Sequence, residues 1–395
     1  MAHAIYSPSK LPRIIACPAS AQAVDESVSQ SEYASEGEKL HLAVSESLDQ
    51  GDSQLTRYIR EKFKLTDDQA DVVDDCLSYA WSLKVTYGAE DAYELIENKV
   101  SMVGYAQALK CEELAEVEGT LDYAFIIPSR QTAIIVDWKF GAGVHVSADT
   151  PQLKAYALSV LKSPKRLMSF KFIDLVILQP RIDVEPDIRH FTPEALYEWA
   201  SEILAPALIA TRAKHPVYRP AADTCRWCPI KATCRARRVA AVEIAKQVFT
   251  VHGTLPTPDE QEMAQLLDKA ASLTAYLDDI KGYAINRIQN GFSFPGYKLV
   301  AGRSNRQWKD ENKAKEWLQV IGLKDDDLYT KKFVSPPQAE KKVGKQWKTA
   351  NEFTDLYEKK GGAPTLVRET DPRDPLKFAS AAEKFAEFDK SPLID

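Results

Sequence analysis

Two aspartates and a lysine in the stretch that begins at Glu118 have types and spacings suited to metal chemistry. Asp122 precedes Asp137 by fifteen residues, and Lys139 follows two residues later. The segments LDYAFII and TAIIVDWKF predict two strands joined by a turn at Pro128, which brings both carboxylates together at neighbouring strand ends. A hard divalent cation such as Mg²⁺ or Mn²⁺ relieves their repulsion and activates water. Lys139 shares the face of Asp137 and supplies a positive charge there.

Two helical segments flank this pair and carry further polar side chains. GEKLH, which begins at Gly37, heads an apolar-periodic stretch that predicts His41 on a helix. PQLKAY predicts a second helix, capped by Thr150 or Asp149, with Gln152 and Tyr156 on one face. Taken singly, a strand-end Asp is usually a turn former and a helical His is usually a surface or core residue. The argument for chemistry therefore rests on the combination.

The order GxxxH, GxxD, DxK and QxxxY over residues 7–238 resembles the RecB-like branch of the PD-(D/E)XK nuclease superfamily. The resemblance implies three side chains and one backbone carbonyl as metal ligands: His41, Asp122, Asp137 and the carbonyl of Trp138. It makes Lys139 the catalytic lysine, and Gln152 and Tyr156 the pair that positions the substrate. Glu97, in YELIENKVSM, is a weaker candidate that could equally face solvent.

Four of the six cysteines form a separate pattern. Cys225, Cys228 and Cys234 have the spacing C-x2-C-x5-C, and Cys17 lies near the N-terminus. Clustered thiols bind metals, and a fourth ligand closes a tetrahedral or cubane site. The arrangement resembles the iron–sulfur staple of AddB-type and CRISPR-associated nucleases, which implies a [4Fe-4S] cluster. A structural Zn²⁺ is the alternative, since thiolates suit both.

The composition is that of a soluble cytoplasmic protein, by the resemblance one of a bacterial host. The chain has 395 residues, 45% of them hydrophobic, and MAHAIYSPSK lacks the apolar core of a signal peptide. No apolar run reaches the length of a membrane span, so no membrane association is expected. A reducing cytosol favours metal binding over disulfides for the cysteines.

The resemblance implies an α/β fold with a restriction-endonuclease-like core, a central mixed sheet flanked by helices, and we expect a mainly helical α+β domain after it. We expect the nuclease-like domain at 1–240, a linker at 241–257, a C-terminal domain at 258–360 and a charged tail at 361–395. The C-terminal domain begins with a long helix from about Pro258 to Asn290, and its apolar face could pack on the core, on a partner or on a second copy, giving an oligomer.

The expected function is that of a metal-dependent DNA exonuclease for end processing, recombination or replication, similar to uncharacterised phage and prophage proteins. The chain lacks GxxxxGK[ST], so it is not itself a motor. DNA, as linear ends or single strands, is the expected partner, with a single-strand-binding or annealing protein as a further candidate. The net charge of −6 disfavours a broad DNA coat, although basic clusters such as Arg235–Arg238 exist. The alternatives are a structure- or sequence-specific endonuclease on the same fold, and a noncatalytic DNA-binding or assembly protein.

Overall fold

A five-stranded mixed sheet forms the centre of the computed structural model, which describes residues 5–23, 32–183, 185–249 and 260–298. Neighbouring strands are antiparallel except for the third and fourth, which are parallel. The α/β class with helices around a mixed sheet is therefore confirmed. In sheet order, which is also chain order, the strands are β1 (Tyr93–Ser101), β2 (Glu118–Ile127), β3 (Thr132–Trp138), β4 (Phe172–Leu178) and β5 (Asp187–Phe191).

The predicted hairpin is the β2–β3 pair. A single 3₁₀ turn at Pro128–Arg130 joins the strands, and Gln131 closes it in the left-handed region with φ of 51°. The pairing runs from Ile127 opposite Thr132 to Tyr123 opposite Val136. The two apolar runs with an intervening proline turn thus form the structure that their sequence predicts.

Twelve α-helices lie within the described residues, along with short 3₁₀ turns and one π turn at Ala200–Leu204. The predicted cap of the QxxxY helix is Thr150, whose Oγ1 accepts a hydrogen bond from the Leu153 amide. The helices are α1 (Leu11–Ala16), α2 (Glu32–Asp49), α3 (Arg57–Lys62), α4 (Asp67–Tyr87), α5 (Val103–Ala106), α6 (Pro151–Leu161), α7 (Pro164–Leu167), α8 (Pro193–Trp199), α9 (Ala205–Thr211), α10 (Ala222–Arg226), α11 (Arg235–Phe249) and α12 (Glu260–Gln289).

Strand β3 is buried along its whole length because helices cover both faces of the sheet. One apolar cluster joins Ile135 and its face to α1, α6 and α9. The other joins Val136 and Trp138 to α2, α3 and α4. The crossover that parallel β3 and β4 require contains α6, which carries the QxxxY pair past the sheet.

The N-terminal segment lies against the glycine of GxxD. A Cβ added to Gly119 would lie 2.8 Å from Pro8 Cδ and 3.7 Å from a ring carbon of Tyr156. The chain continues through α1 to Cys17, and Tyr6 hydrogen-bonds to Thr211 Oγ1 at 2.6 Å. Glycine is therefore required at position 119 by the close approach of this segment.

Helix α12 packs against α11 and belongs to the same compact unit as the sheet. Its Tyr276 ring lies 5.1 Å from the guanidinium of Arg237, while Met263 and Leu267 on the predicted apolar face are exposed. The predicted tail and most of the predicted C-terminal domain lie outside the described residues, so the domain boundaries stay predictions. Among the helices that the structure describes, none combines the length and apolarity that a membrane crossing requires.

Candidate metal centre

Three carboxylates stand in one row across the sheet. The β1–β2 pairs on either side of Glu97, Ile96 with Tyr123 and Asn98 with Leu121, place Glu97 level with Asp122. The β2–β3 register, continued by one residue beyond Tyr123 and Val136, places Asp122 level with Asp137. Residues directly opposite each other in antiparallel strands share a face. The sheet therefore brings together both predicted aspartates and the weaker candidate Glu97.

The backbone of β1 departs from regular geometry at Glu97. Its φ is 40°, in the left-handed region, and the pairing with β2 is interrupted at this residue while it continues on either side. A non-glycine residue in this conformation costs of order 1–3 kcal/mol and is found preferentially at functional sites. The sequence showed only that an acidic residue lies in a predicted strand. The strand register and the backbone conformation, which bring Glu97 to the site, are seen only in the structure.

Helix α2 contributes His41 to the row. The ligand atoms of His41, Glu97 and Asp122 lie within 4.8 Å of one another, as a shared metal ion requires. His41 Nδ1 lies 3.5 Å from Asp122 Oδ1, yet it is buried and makes no hydrogen bond with any described residue. A buried imidazole nitrogen without a hydrogen bond is costly unless a ligand completes it. This donor set of one imidazole and two carboxylates fits a divalent cation.

Asp137 and Lys139 form the other half of the site. Asp137 is almost fully buried, and its Oδ2 forms an ion pair with Lys139 Nζ at 2.6 Å. Its Oδ1 accepts a hydrogen bond from Gln152 Nε2 at 2.7 Å. Gln152 and Lys139 thereby hold the carboxylate of Asp137 in one orientation, and about a quarter of the Lys139 side chain stays exposed, at 28%.

Trp138 and Tyr156 anchor β2 beside these groups. The Trp138 amide donates to Asp122 Oδ2 at 2.8 Å, and its side chain packs on Tyr123. The role of its carbonyl as a ligand stays a prediction. Tyr156 is buried and donates from its hydroxyl to the carbonyl of Thr120 at 2.8 Å. It therefore fixes the strand that carries Asp122, and its predicted contact with substrate stays a prediction.

The site holds three carboxyl groups and one ammonium group, so negative charge predominates. Burial, followed by repulsion from Asp137, raises the pKa of Asp122 well above its ordinary value. Burial also raises the pKa of Glu97. Burial lowers the pKa of His41 to about 4, which keeps the imidazole neutral and able to bind a metal. Burial lowers the pKa of Lys139, but the Asp137 carboxylate outweighs this effect, so the net shift is upward.

Arg181, which the sequence did not single out, holds helix α2 in place. Its Nη1 donates to the carbonyl of Phe140 at 2.9 Å, and its Nη2 donates to Glu36 of α2 at 2.8 Å and to Asp68 of α4 at 3.2 Å. The ring of Phe140 in turn contacts His41 edge-on, with centroids 4.9 Å apart. Arg181 thus ties the helix that carries His41 to the chain just after Lys139.

All four clustered cysteines line one cavity, together with Arg13, Ser20 and Tyr218. Cys17 comes from the turn after α1, and its sulfur accepts a hydrogen bond from the Arg219 amide at 3.3 Å. The predicted convergence of Cys17 with Cys225, Cys228 and Cys234 is therefore found, and none of the four forms a disulfide. Cys76 and Cys111 are buried elsewhere, in the two apolar clusters.

Comparison with known proteins gives a family without an assigned activity. No solved structure matches the chain. A family model described as "Protein of unknown function (DUF2800)" matches residues 3–374, a range that includes every residue of the metal centre and of the cysteine cavity. The chain therefore belongs to the DUF2800 family.

Proposed function

We propose that this protein is a divalent-metal-dependent deoxyribonuclease, acting as an exonuclease, with a PD-(D/E)XK core. The observation that carries the proposal is the cross-strand row of carboxylates, flanked by His41 and by Lys139. Glu97 and Asp122 are partly buried with oxygen atoms within 4.8 Å of each other, and Asp137 is almost fully buried. Carboxylates placed in this way destabilise the fold unless a cation neutralises them. The row is therefore better explained by metal binding than by a structural role.

His41, Glu97, Asp122 and Asp137 would hold the cation, which is Mg²⁺ or Mn²⁺ in this proposal. When bound, the metal supplies a Lewis acid for a phosphodiester and lowers the pKa of a bound water. The Trp138 amide keeps Asp122 Oδ2 oriented, and Gln152 does the same for Asp137 Oδ1. Such hydrogen bonds to ligand carboxylates fix their geometry before substrate arrives.

Lys139 would orient the attacking water or contact the scissile phosphate. Its contact with Asp137 keeps the ammonium charged, and its partial exposure leaves it within reach of a substrate. An ammonium in this place stabilises the negative charge that develops as water attacks phosphorus. Its position two residues after Asp137, just beyond the end of β3, supports the assignment of a DxK pair.

The arrangement of elements supports the PD-(D/E)XK assignment. Asp122 and the DxK pair lie on the antiparallel hairpin β2–β3, and the parallel strand β4 follows through the crossover helix α6 with Gln152 and Tyr156. The sequence order of the four motifs thus corresponds to one contiguous site.

The four cysteines would hold a [4Fe-4S] cluster, with Zn²⁺ as the alternative. A tetrahedral zinc with bonds of about 2.3 Å needs sulfur atoms about 3.8 Å apart. Among the described residues, His41, Glu97 and Asp122 are the only group with three ligand atoms within 4.8 Å of one another, so no three of the four thiols lie that close together. This spacing favours a cluster of several iron atoms over one zinc ion.

The test compares digestion from DNA ends with cutting at internal positions. Anaerobically purified protein is incubated with Mn²⁺ or Mg²⁺ and either end-labelled linear duplex or relaxed closed-circular duplex. Progressive loss of linear DNA with persistence of circles is expected. Cutting of circles at discrete positions as fast as linear DNA is consumed would establish the endonuclease alternative instead, and intact DNA of both kinds would leave the noncatalytic one.

A further inference from the structure

The chain around the cysteine cavity is strongly basic in an otherwise acidic protein. Residues 212–238 contain eight Lys or Arg and one acidic residue, Asp223, so this segment carries a formal charge of +7 while the whole chain carries −6. A cluster of one sign on such a chain marks a surface for a polyanion.

Some of these basic side chains form ion pairs within the fold, and others do not. Arg212 pairs with Glu116, while Lys231 and Arg237 both pair with Asp279 of α12. The remaining residues are exposed and form no ion pair with any residue that the structure describes: Lys214, Arg219, Arg226, Arg235 and Arg238. Unneutralised arginines next to each other repel, so a bound anion would stabilise them.

Three of these arginines directly follow, in the chain, residues that line the cavity. Arg219 follows Tyr218, Arg226 follows Cys225, and Arg235 follows Cys234. The backbone amide of Arg219 is also fixed to the sulfur of Cys17. Cysteine ligands would therefore hold the arginines in a rigid arrangement rather than on a free loop.

Two aromatic side chains stand among these charges. Trp227 is 72% exposed, and the guanidinium of Arg226 lies 5.4 Å from its ring centroid. Tyr218 is 52% exposed. A tryptophan that served only to pack would bury its large apolar surface, since that burial stabilises the fold. An open indole face beside arginines is the arrangement on which unpaired bases stack.

We propose that the basic rim, defined as Tyr218, Arg219, Arg226, Trp227, Arg235 and Arg238, binds single-stranded DNA, with Trp227 stacking on a base. The inference rests on the proposed nuclease function and specifies single-stranded DNA as its substrate. Stacking on Trp227 requires unpaired bases, which a duplex interior does not offer. The arginines contact the phosphates on either side.

The test measures binding without cleavage. Anisotropy of a labelled oligothymidylate is followed with the full-length protein in EDTA, and duplex of the same length is the competitor. Trp227→Ala should weaken binding to the single strand about tenfold, as is typical for loss of one base–aromatic contact, and Trp227→Phe should restore most of it. Arg226→Gln with Arg235→Gln should reduce the slope of log K against log salt by about 1.4.

The matched control is Trp81→Ala. Trp81 is also exposed, at 47%, and also lies near a cation, Lys84, but it belongs to helix α4, which has five aspartates and one lysine. The Trp81→Ala variant should bind the single strand with wild-type affinity. An unchanged iron or zinc content per chain in Trp227→Ala establishes that the cysteine site beside the rim is still folded.

Failure of this inference is separable from failure of the nuclease proposal. Asp137→Asn should bind the single strand normally while losing cleavage. If Trp227→Ala binds as the wild type does, or if duplex competes as well as the single strand, the rim is not a single-strand site. Trp227-dependent binding by a protein that cleaves no DNA would support the rim and remove the nuclease function.

Discussion

Glu97→Gln should stabilise the metal-free protein and weaken its binding of metal. The substitution keeps the shape and backbone of the side chain but removes its charge. Two full charges within 4.8 Å of each other, the limit that holds for Glu97 and Asp122, repel by about 3.5 kcal/mol at an effective dielectric of about 20. Both groups have raised pKa values and shed part of that repulsion by holding protons. We therefore expect a gain of about 1 kcal/mol at neutral pH after screening by solvent.

A second variant at position 97 tests the backbone strain. Glu97→Gly removes the charge and also the cost of a φ of 40°, so it should add about 1 kcal/mol more to the free energy of unfolding. Each kcal/mol corresponds to about 2–4 °C in Tm for a domain of this size. Thermal unfolding in EDTA measures these gains, and calorimetric titration with Mn²⁺ measures the loss of affinity.

Glu94→Gln is the matched control on the same strand. Glu94 accepts a hydrogen bond from the Tyr123 hydroxyl at 2.6 Å and pairs with Lys84 at 2.8 Å. Its replacement should lower stability by about 1 kcal/mol and leave Mn²⁺ affinity unchanged. If Glu97→Gln behaves like Glu94→Gln, with lower stability and normal metal affinity, Glu97 is an ordinary surface carboxylate and the reasoning about the row is wrong.

Three further outcomes follow from the same contacts. Because Asp122 has a raised pKa and must lose its proton to bind metal, Mn²⁺ affinity should rise with pH, by up to about tenfold per pH unit, and a pH-independent affinity in calorimetry would contradict this. Anaerobically purified Cys17→Ser should lack the brown colour of the wild type and should be less stable to heat, because the cluster closes a loop of about 200 residues. Stoichiometric zinc without iron in the wild type would show that the site holds Zn²⁺ instead. Gly119→Ala should lower the free energy of unfolding by about 1–3 kcal/mol through a clash with Pro8. Gly37→Ala, whose added Cβ contacts no described atom, should raise the free energy of unfolding by about 0.5–1 kcal/mol. Chemical denaturation measures both, and equal effects would refute the packing argument.

The sequence predicted those parts of the site that depend on local structure. Asp122 and Asp137 lie on a hairpin whose two apolar runs and proline turn are adjacent in the chain, and Gln152 lies on a helix with an ordinary threonine cap. Their approach follows from strand alternation and helix periodicity. His41 was placed on a helix for the same reason, although nothing local indicates which strand that helix meets.

The remaining parts depend on distant contacts or on unusual backbone geometry. Glu97 joins the row only through the β1–β2 register and a left-handed φ, and Arg181 acts through a carbonyl and two carboxylates on separate elements. The approach of Cys17 to Cys225 spans the whole domain, and it was expected from a resemblance rather than from a physical pattern. Such features cannot be read from spacing, because the intervening fold determines them.

The most direct test of the nuclease proposal is the digestion of end-labelled linear DNA by a matched pair of variants. Asp137→Asn removes the charge at the centre of the site, while Asp174→Asn removes an equivalent charge on β4, where Asp174 pairs with His190 at 2.7 Å outside the row. With Mn²⁺, the wild type and Asp174→Asn should degrade the DNA, and Asp137→Asn should leave it intact while retaining the wild-type thermal stability. Degradation by Asp137→Asn at the wild-type rate would contradict the proposed site.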